Sequence, residues 1–199
     1  MLITGILLAA GNSSRFGRNK LLYPLSDGTP IIIAAAQTLK SAVDHTLIVT
    51  RPESKELTNL LHQRGFQTIN CPQAQTGMGA SLAGGIKASL NAHAWIIALA
   101  DMPFVQPLTL NKLVTHLRQG AAIVVPQYQG QRGHPVGFNQ TFVTQLTQLS
   151  GHFGARTLLQ QHYSQITLIP TNDAGIHRDI DVPSDLKWPP NTHNSKTKS

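Results

Sequence analysis

Two groups of residues in this sequence have the side-chain types and the spacing needed to hold a phosphorylated ligand. The first group lies in residues 8–20, where small residues are followed by Arg15 and Lys20. Small residues let backbone N–H groups approach phosphate oxygens closely, and the two cations add positive charge. The second group consists of acids, led by Asp101 at the end of an apolar run. Together they indicate phosphoryl-type chemistry assisted by a hard metal ion.

The first group follows a buried-strand pattern, Leu2–Leu8, at the point where that strand ends. In open α/β sheets ligands bind in the crevice outside the carboxyl ends of the strands. The segment lacks the glycine spacing of a dinucleotide fingerprint and the Gly-Lys-Ser/Thr ending of a P-loop. We predict that the strand end, the small-residue turn and the two cations bind the phosphates of a ligand: Leu8, Ala9, Ala10, Gly11, Arg15 and Lys20.

A single carboxylate, Asp101, follows the apolar run Trp95–Ala100. A lone buried aspartate is costly unless a cation or several hydrogen-bond donors meet it. Mg²⁺ is usually held by one or two carboxylates together with substrate phosphates. The competing interpretation is a helix-capping or turn aspartate. The presence of the first loop favours a metal ligand at Asp101.

A second pair of acids lies near the carboxyl terminus, at Asp179 and Asp181. Residues i and i+2 of an extended segment point to the same side. Asp179 and Asp181 can therefore face one cation while Ile180 packs inward. Asp185 is expected to cap the short helical turn after Pro183.

Short apolar segments alternate with helix-like segments along the whole chain. The predicted strands are Leu2–Leu8, His45–Thr50, Gln67–Asn70, Ala94–Ala100, Ala121–Val125, Pro135–Phe138 and Gln165–Ile169. The predicted helices are Thr29–Lys40, which starts with a threonine cap and a proline, and Pro52–Arg64, Gly79–Asn91, Leu108–Gln119, Gln140–Leu149 and Ala155–Tyr163. This alternation predicts a Rossmann-like, doubly wound α/β fold with a mostly parallel sheet. The stretch 135–138 breaks the rhythm and is expected to be antiparallel or inserted.

Composition narrows the class of protein further. The chain has 199 residues, of which 41% are hydrophobic, enough for one α/β domain over residues 1–186. The polar remainder, 187–199, is predicted to be disordered. No apolar run approaches the roughly 20 residues that span a bilayer. The net charge of +7 suits an anionic ligand, and the basic residues do not form the stripe typical of nucleic-acid binders. With Cys71 as the one cysteine, a cytoplasmic protein is the simplest interpretation.

Several motifs, in order along about 185 residues, resemble those of the MobA-like nucleotidyltransferases, whose fold is of the nucleotide-diphospho-sugar transferase type. Residues 8–20 resemble the family pattern L-A-(A/G)-G-x-S-x-R-(F/M)-G-x-x-K. Residues 77–82 resemble G-M-x-x-S-L, and residues 99–103 resemble L-A-D-M-P. The stretches 133–136 and 179–186 resemble G-H-P-V and D-I-D-x-P-x-D-L. Within the family the sequence is most similar to the molybdenum cofactor cytidylyltransferases.

The resemblance implies a role for several individual residues. Gly77 and Ser81 would border the nucleotide, whereas Met78 is better explained as a core residue. The nucleotide would also contact the residues of the first motif: Leu8, Ala9, Ala10, Gly11, Arg15 and Lys20. The metal ligands would be Asp101 and Asp181, with Asp179 beside them, and the metal would be Mg²⁺. Arg15, Lys20 and Asp101 would be the catalytic residues, and His134 and Arg156 would contact the acceptor. The implied roles therefore fall on these residues: Arg15, Lys20, Gly77, Ser81, Asp101, His134, Arg156, Asp179 and Asp181.

One position departs from the family pattern. The motif G-D-x-G-A-R appears here as Gly151-His152-Phe153-Gly154-Ala155-Arg156, with histidine in the place of the acid. If that acid positions metal or acceptor, this protein does so differently or binds a different acceptor.

The resemblance implies transfer of CMP from CTP to a phosphorylated, molybdopterin-type cofactor, with release of pyrophosphate. A molybdoenzyme or its maturation chaperone would be a further partner. The preference for CTP rests on the Ala-Ala-Gly of residues 9–11, because the guanylyl branch usually has Ala-Gly-Gly. A guanylyltransferase and a sugar-phosphate or polyol-phosphate nucleotidyltransferase are the enzyme alternatives. From other classes, a non-catalytic nucleotide-binding or cofactor-carrier protein remains open, and a nicotinamide oxidoreductase is disfavoured by the missing glycine pattern.

Overall fold

Eight strands form one mixed sheet in the computed structural model, which describes residues 1–11 and 19–186. In chain order the strands are β1 (Ile3–Leu8), β2 (His45–Thr50), β3 (Gln67–Asn70), β4 (Ala94–Leu99), β5 (Ile123–Tyr128), β6 (Gln131–Arg132), β7 (Val136–Asn139) and β8 (Ile166–Pro170). They lie in the spatial order β3-β2-β1-β4-β7-β5-β6, and β8 pairs with β5. Strands β1 to β4 pair in parallel, and so do β5 and β8, whereas β7 is antiparallel to both of its neighbours.

Helices connect and cover these strands. They are α1 (Ile31–Lys40), α2 (Lys55–Gln63), α3 (Met78–Lys87), α4 (Pro107–Arg118), α5 (Val143–Thr147) and α6 (Arg156–Gln161). Short 3₁₀ helices occur at Lys20–Leu22, Pro72–Thr76, Gln140–Phe142, Tyr163–Gln165, Ala174–His177 and Pro183–Leu186. The predicted doubly wound, mostly parallel sheet is therefore confirmed, including the antiparallel element near residues 135–138.

The differences from the predicted elements have local causes. Helix α1 begins at Ile31, two residues after the predicted start at Thr29, because Pro30 rather than Thr29 occupies the N-cap. Pro30 supplies no side-chain hydrogen bond to the helix start. The predicted helix over 140–149 is divided into a 3₁₀ turn and the short α5. The two-residue strand β6 was not predicted, since a hairpin of that length has too few residues to show alternation.

The sheet is buried on both faces because its central strands carry apolar side chains at almost every position. Strand β1 is buried along its whole length, and β4 is buried at five of its six residues. Trp95 in β4 is fully buried, and its indole N–H donates to the Ser89 hydroxyl at 3.0 Å. Helices α1 and α4 cover one face, and α3, α5 and α6 cover the other. This double covering leaves the ends of the strands as the places where polar side chains can gather.

At the amino edge of the sheet, a carboxylate and a guanidinium tie the start of β1 to helix α4. Asp44 accepts hydrogen bonds from the Ile3 backbone N–H at 2.8 Å and from Arg118 at 3.0 Å. The Ile3 N–H, with the charge of Arg118, holds the pKa of Asp44 below its ordinary value of 3.8. Both ends of this contact are satisfied within the protein.

Among residues 1–11 and 19–186, no helix combines the length and the apolar character that a membrane crossing requires. The predicted tail, 187–199, and the predicted catalytic residue Arg15 lie outside the described residues.

Candidate active site

At the carboxyl edge of the sheet, one lysine joins three distant parts of the chain. Lys20 Nζ donates to Asp101 Oδ2 at 2.9 Å, to Asp181 Oδ1 at 3.0 Å and to the Ile180 carbonyl at 2.7 Å. These partners are 81, 161 and 160 residues away in sequence. The lysine, the aspartate after β4 and the acids near the terminus therefore form a single cluster.

Backbone structure places each member of this cluster. Asp101 lies two residues beyond the last residue of β4, which ends beside β1 in the parallel part of the sheet. The Ile180 N–H donates to the Asp101 carbonyl at 2.9 Å, so the late segment is fixed directly against the end of this strand. Lys20 starts a 3₁₀ turn that is capped by the Asn19 side chain and anchored by the buried Leu21.

The predicted alternation around Ile180 is present. Ile180 is fully buried, whereas Asp179 and Asp181 are exposed. Asp181 contacts Lys20, and its backbone N–H donates to Asp185 Oδ2 at 2.9 Å. Asp185 also accepts from the Val182 N–H, so it braces the segment that carries Asp181. Asp179 has no hydrogen bond or ion pair to Lys20 in the structure as described, which gives Asp181 the central position.

The charge of Lys20 depends on its two acidic partners. Burial alone would lower the pKa of the lysine, but the hydrogen bonds and charges of Asp101 and Asp181 outweigh burial and raise it. The Lys20 side chain is 12% exposed, against 27% for Asp101 and 52% for Asp181. The ammonium is thus an enclosed, fully charged centre, while the carboxylates stay open to a ligand.

A cavity of about 320 Å³ opens beside this cluster, with Asp101 in its wall. This volume is within the range of small-molecule sites. We call it the first cavity. Besides Asp101, five of the predicted nucleotide-binding residues line it: Leu8, Ala10, Gly11, Gly77 and Ser81. Ala9 is buried, and its N–H donates to the Val49 carbonyl at 2.9 Å, so this N–H belongs to the sheet.

Glycines shape the far wall of the first cavity. Gly77 adopts a φ of 129°, which side-chain-bearing residues rarely reach, and a Cβ here would clash with the Gly151 carbonyl. The Gly79 N–H donates to that carbonyl at 2.8 Å. The start of α3 and the turn at residues 151–154 are consequently packed together, and His152 of this turn also lines the first cavity.

A second cavity, of about 450 Å³, lies between α6 and the sheet. His134 and Arg156, the two predicted acceptor-binding residues, both line it. Arg132 and Tyr163 lie in the same wall, with the guanidinium 4.3 Å from the centre of the tyrosine ring. Two guanidinium groups therefore border one cavity.

His134 connects the second cavity to the lysine–aspartate cluster. Burial lowers its pKa, and the charges of Asp101 and Asp179 oppose this effect only in part, so the imidazole is neutral at neutral pH. Its Nδ1 is buried and has no hydrogen-bond partner within residues 1–11 and 19–186. Asp101 lines the first cavity, and its negative charge acts on His134, which lines the second cavity.

The sequence over residues 5–166 matches the family model described as the MobA-like NTP transferase domain. This chain belongs to the MobA-like NTP transferase family. The residues that form the first cavity, up to His152, all lie inside the matched range, whereas Asp181 lies beyond it.

Two relatives cover nearly the whole chain. The purine catabolism protein PucB of Bacillus subtilis is 32% identical over 193 residues, 92% of this chain and 93% of that protein. The molybdenum cofactor cytidylyltransferase of Escherichia coli is 27% identical over 184 residues, 91% of this chain and 92% of that protein.

Solved structures agree with the fold. The protein Rv0371c of Mycobacterium tuberculosis superposes with a TM-score of 0.80 at 26% identity, covering 92% of this chain and 94% of that one. A structure of the same protein in complex with manganese superposes with a TM-score of 0.75 at 24% identity, covering 93% and 96%. The family membership and the nucleotide-diphospho-sugar transferase type of fold, both predicted from sequence, are confirmed.

Several residues that line the two cavities of this MobA-like site were not predicted, and four of them are notable. Arg51, at the end of β2, lines the first cavity, and its Nε donates to the Ala10 carbonyl at 2.6 Å. Its place after a parallel strand next to β1 was the available signal. Met78 was interpreted as a core residue, but it is 45% exposed and lines the first cavity. Arg132 and Tyr163 gave no signal, because a two-residue strand and a helix end bring them together.

The donor set suits a hard divalent cation. Two carboxylates, Asp101 and Asp181, converge on one positive charge, the Lys20 ammonium, with a backbone carbonyl beside it. Mg²⁺ takes such oxygen ligands and completes its shell with phosphates and water. Within the described chain no cluster of three or more His, Cys, Asp or Glu side chains forms a closed metal site. A cation here would therefore be bound jointly with a phosphorylated ligand.

Proposed function

We propose that this protein transfers CMP from CTP to a phosphorylated, molybdopterin-type acceptor and releases pyrophosphate. The observation that carries the proposal is the position of Asp101, which lines the first cavity and bonds to Lys20 at the end of a buried parallel strand. The names of the relatives, which include a molybdenum cofactor cytidylyltransferase, point to this acceptor class.

In this proposal the nucleotide occupies the first cavity. Ala10 and Gly11, with Gly77 and Ser81 opposite, surround the base and sugar, and the triphosphate extends toward Lys20. Arg15, which lies in the same motif as Lys20, would add positive charge for the phosphates. Arg51 fixes the Ala10 carbonyl, so it sets the orientation of the peptide groups against which the base lies. The Ala-Ala-Gly turn is the reason for favouring CTP.

The reaction would be a direct displacement. An oxygen of the acceptor phosphate attacks the α-phosphorus of CTP, a new P–O–P linkage forms, and the bond to the β-phosphate breaks with its electrons going to pyrophosphate. No covalent enzyme intermediate is needed, since positioning and charge neutralisation dominate such transfers. The Lys20 ammonium, kept protonated by its partners, stabilises the negative charge on the triphosphate.

Asp101 and Asp181, with Asp179 as a weaker candidate, would hold Mg²⁺. When bound, Mg²⁺ would neutralise phosphate charge. The manganese complex of the Mycobacterium tuberculosis protein supports a divalent cation in a related fold.

The test is a pyrophosphate-release screen of the four NTPs in magnesium, with and without molybdenum cofactor. We expect release only when the cofactor is present, with CTP giving the highest rate. Cofactor-dependent release with GTP but not with CTP would identify a guanylyltransferase. No release with any NTP would contradict the proposed reaction.

A further inference from the structure

The lysine of the first motif is fully engaged by the protein itself. A lysine ammonium has three N–H groups, and three oxygens accept from Lys20: Asp101 Oδ2 at 2.9 Å, Asp181 Oδ1 at 3.0 Å and the Ile180 carbonyl at 2.7 Å. The Lys20 side chain is 12% exposed. Because every N–H already has a partner, Lys20 must leave at least one of these oxygens before its ammonium can bind a triphosphate.

The same three oxygens are those that a divalent cation would use. Mg²⁺ and Mn²⁺ prefer oxygen ligands, and Mg²⁺ binds them at about 2.0–2.1 Å. The Lys20 nitrogen already lies within 3.0 Å of all three. A cation bound to both Asp101 and Asp181 would therefore lie very close to the ammonium, and the two positive charges would repel each other. The cation and the ammonium compete for one position.

The backbone of Lys20 is anchored, whereas its side chain can move. The Leu21 N–H donates to the Asn19 side chain at 3.2 Å, and the Tyr23 N–H donates to the Lys20 carbonyl at 3.1 Å. Leu21 is buried. The flexible four-carbon stem of a lysine lets the ammonium turn while the backbone stays in place. A phosphate bound in the first cavity, which Asp101 lines, is the kind of anion that would attract the ammonium away from the carboxylates.

We propose that Lys20 is an internal counter-ion that occupies the cation position of this site until a nucleotide binds. Without nucleotide, the ammonium neutralises Asp101 and Asp181 and keeps divalent cations away from them. When a triphosphate binds, the ammonium moves to the phosphates, and the two carboxylates become available to a divalent cation. This inference rests on the proposed function for the choice of Asp101 and Asp181 as metal ligands. It adds an order of events, in which the nucleotide opens the metal site.

The test is Mn²⁺ binding to the full-length protein without nucleotide, measured from the EPR signal of free Mn²⁺. Wild type should bind Mn²⁺ weakly. Lys20→Met keeps the stem but removes the ammonium, so the Kd of Mn²⁺ should fall about tenfold or more, because one neighbouring charge changes the proton affinity of a carboxylate by at least about this factor. A Lys20→Met protein with the wild-type Kd would overturn the inference.

Two further variants locate the effect. In Lys20→Met combined with Asp101→Asn, the gain in Mn²⁺ affinity should be lost, because one of the two carboxylates is missing. Arg51→Gln is the control for loss of charge, since Arg51 lines the first cavity and its Nε donates to the Ala10 carbonyl at 2.6 Å. This variant should change the Kd much less than Lys20→Met does. A gain that persists in the double variant, or an equal gain in Arg51→Gln, would overturn the inference.

A measurement on wild type covers the case in which Lys20→Met does not fold. Crystals soaked in Mn²⁺ without nucleotide should show no anomalous peak at Asp101 and Asp181. With a non-hydrolysable CTP analogue present, the peak should appear there, and Lys20 Nζ should have moved from the carboxylates to a phosphate. A peak on both carboxylates without nucleotide would overturn the inference, and so would a lysine that stays on them in the nucleotide complex.

The outcomes also separate this inference from the proposed reaction. If removing the ammonium strengthens Mn²⁺ binding at Asp101 and Asp181 but wild type releases no pyrophosphate, the exchange of cations stands and the reaction is wrong. If wild type releases pyrophosphate but Lys20 has no effect on the Kd of Mn²⁺, the reaction stands and the exchange is wrong.

Discussion

The two edges of the sheet each carry a contact between acids and a base, and these contacts differ in what they leave available. At the amino edge, Asp44 accepts a hydrogen bond from the Ile3 N–H and pairs with Arg118, so the carboxylate is engaged by two partners within the protein. At the carboxyl edge, Lys20 is enclosed while Asp101 still lines the first cavity. The first contact joins two elements of the fold, whereas the second includes a carboxylate in a cavity wall.

The difference follows from the direction of the strands. Strands β1, β2 and β4 are parallel, so their carboxyl ends meet at one edge and the connections that leave them surround a crevice. At the amino edge, the segments that lead into β2 and β4 are hydrogen-bonded to the start of β1. The Asp44 N–H donates to the Ile3 carbonyl at 3.0 Å, and the His93 N–H donates to the Leu2 carbonyl at 2.8 Å. A charge pair in the chain therefore acquires its role from the edge at which it lies, and this can be tested by changing each edge in turn.

The largest effect is expected for Asp101→Asn. This change retains the shape of the side chain but removes the charge that faces the first cavity, so kcat should fall about 10³-fold. Pyrophosphate release measures the loss, and the thermal midpoint should change little because Lys20 keeps Asp181 and the Ile180 carbonyl. Full magnesium-dependent activity in this variant would rule out Asp101 as a metal ligand.

Lys20→Ala should have the next largest effect. Loss of the ammonium leaves the triphosphate charge uncompensated, and turnover should slow by roughly 10²–10³-fold. Lys87→Ala is the matched control, because Lys87 is exposed in the last turn of α3, whereas the α3 residues that line the first cavity, Met78 and Ser81, lie in its first turns. Equal losses in the two variants would show that the position of the charge does not matter.

Asp44→Asn should show the opposite pattern at the amino edge. It weakens the bonds to Ile3 and Arg118, and it should lower the free energy of unfolding by about 1 kcal/mol, a small value because the group is largely exposed. Pyrophosphate release should equal that of wild type at 25 °C. Denaturant unfolding measures the first quantity, and a large loss of turnover in this variant would contradict the division between the two edges.

The smallest effect is the pH dependence of that same contact. The lowered pKa of Asp44 means that its stabilisation is present above the ordinary value of 3.8 and disappears as the pH falls through the folded-state pKa. The stability difference between wild type and Asp44→Asn should therefore shrink below about pH 4. Unfolding curves between pH 3 and 7 test this, and a difference that grows toward acid pH would contradict it.

Much of this architecture was predictable from the sequence, because strong hydrophobic patterns encode it. Continuous apolar runs identified the parallel strands, and β2 and β3 were predicted residue for residue. Asp101 followed from its place after such a run, and the buried Ile180 followed from alternation. The proximity of Asp101, Lys20 and Asp181 was expected from the motifs, and the structure brings them within 3.0 Å of one atom.

Other features required the three-dimensional structure. The Ala9 N–H donates to the Val49 carbonyl and so belongs to the sheet. A sequence motif cannot show this hydrogen bond, because it depends on how two strands pair. Met78 has the composition of a core residue, but the close packing at Gly77 and Gly79 leaves it in the cavity wall. The wall formed by Arg132 and Tyr163 joins a two-residue strand to the end of a helix, and residue spacing cannot predict such a contact.

The central claim is that nucleotide and divalent cation meet at the Asp101 cluster, beside the first cavity. Crystals grown with a non-hydrolysable CTP analogue and manganese would test it most directly, by anomalous diffraction. We predict one manganese peak within coordination distance of Asp101 and Asp181, with the base in the first cavity and the triphosphate beside Lys20. A nucleotide bound elsewhere, or a manganese ion with no contact to Asp101, would contradict it.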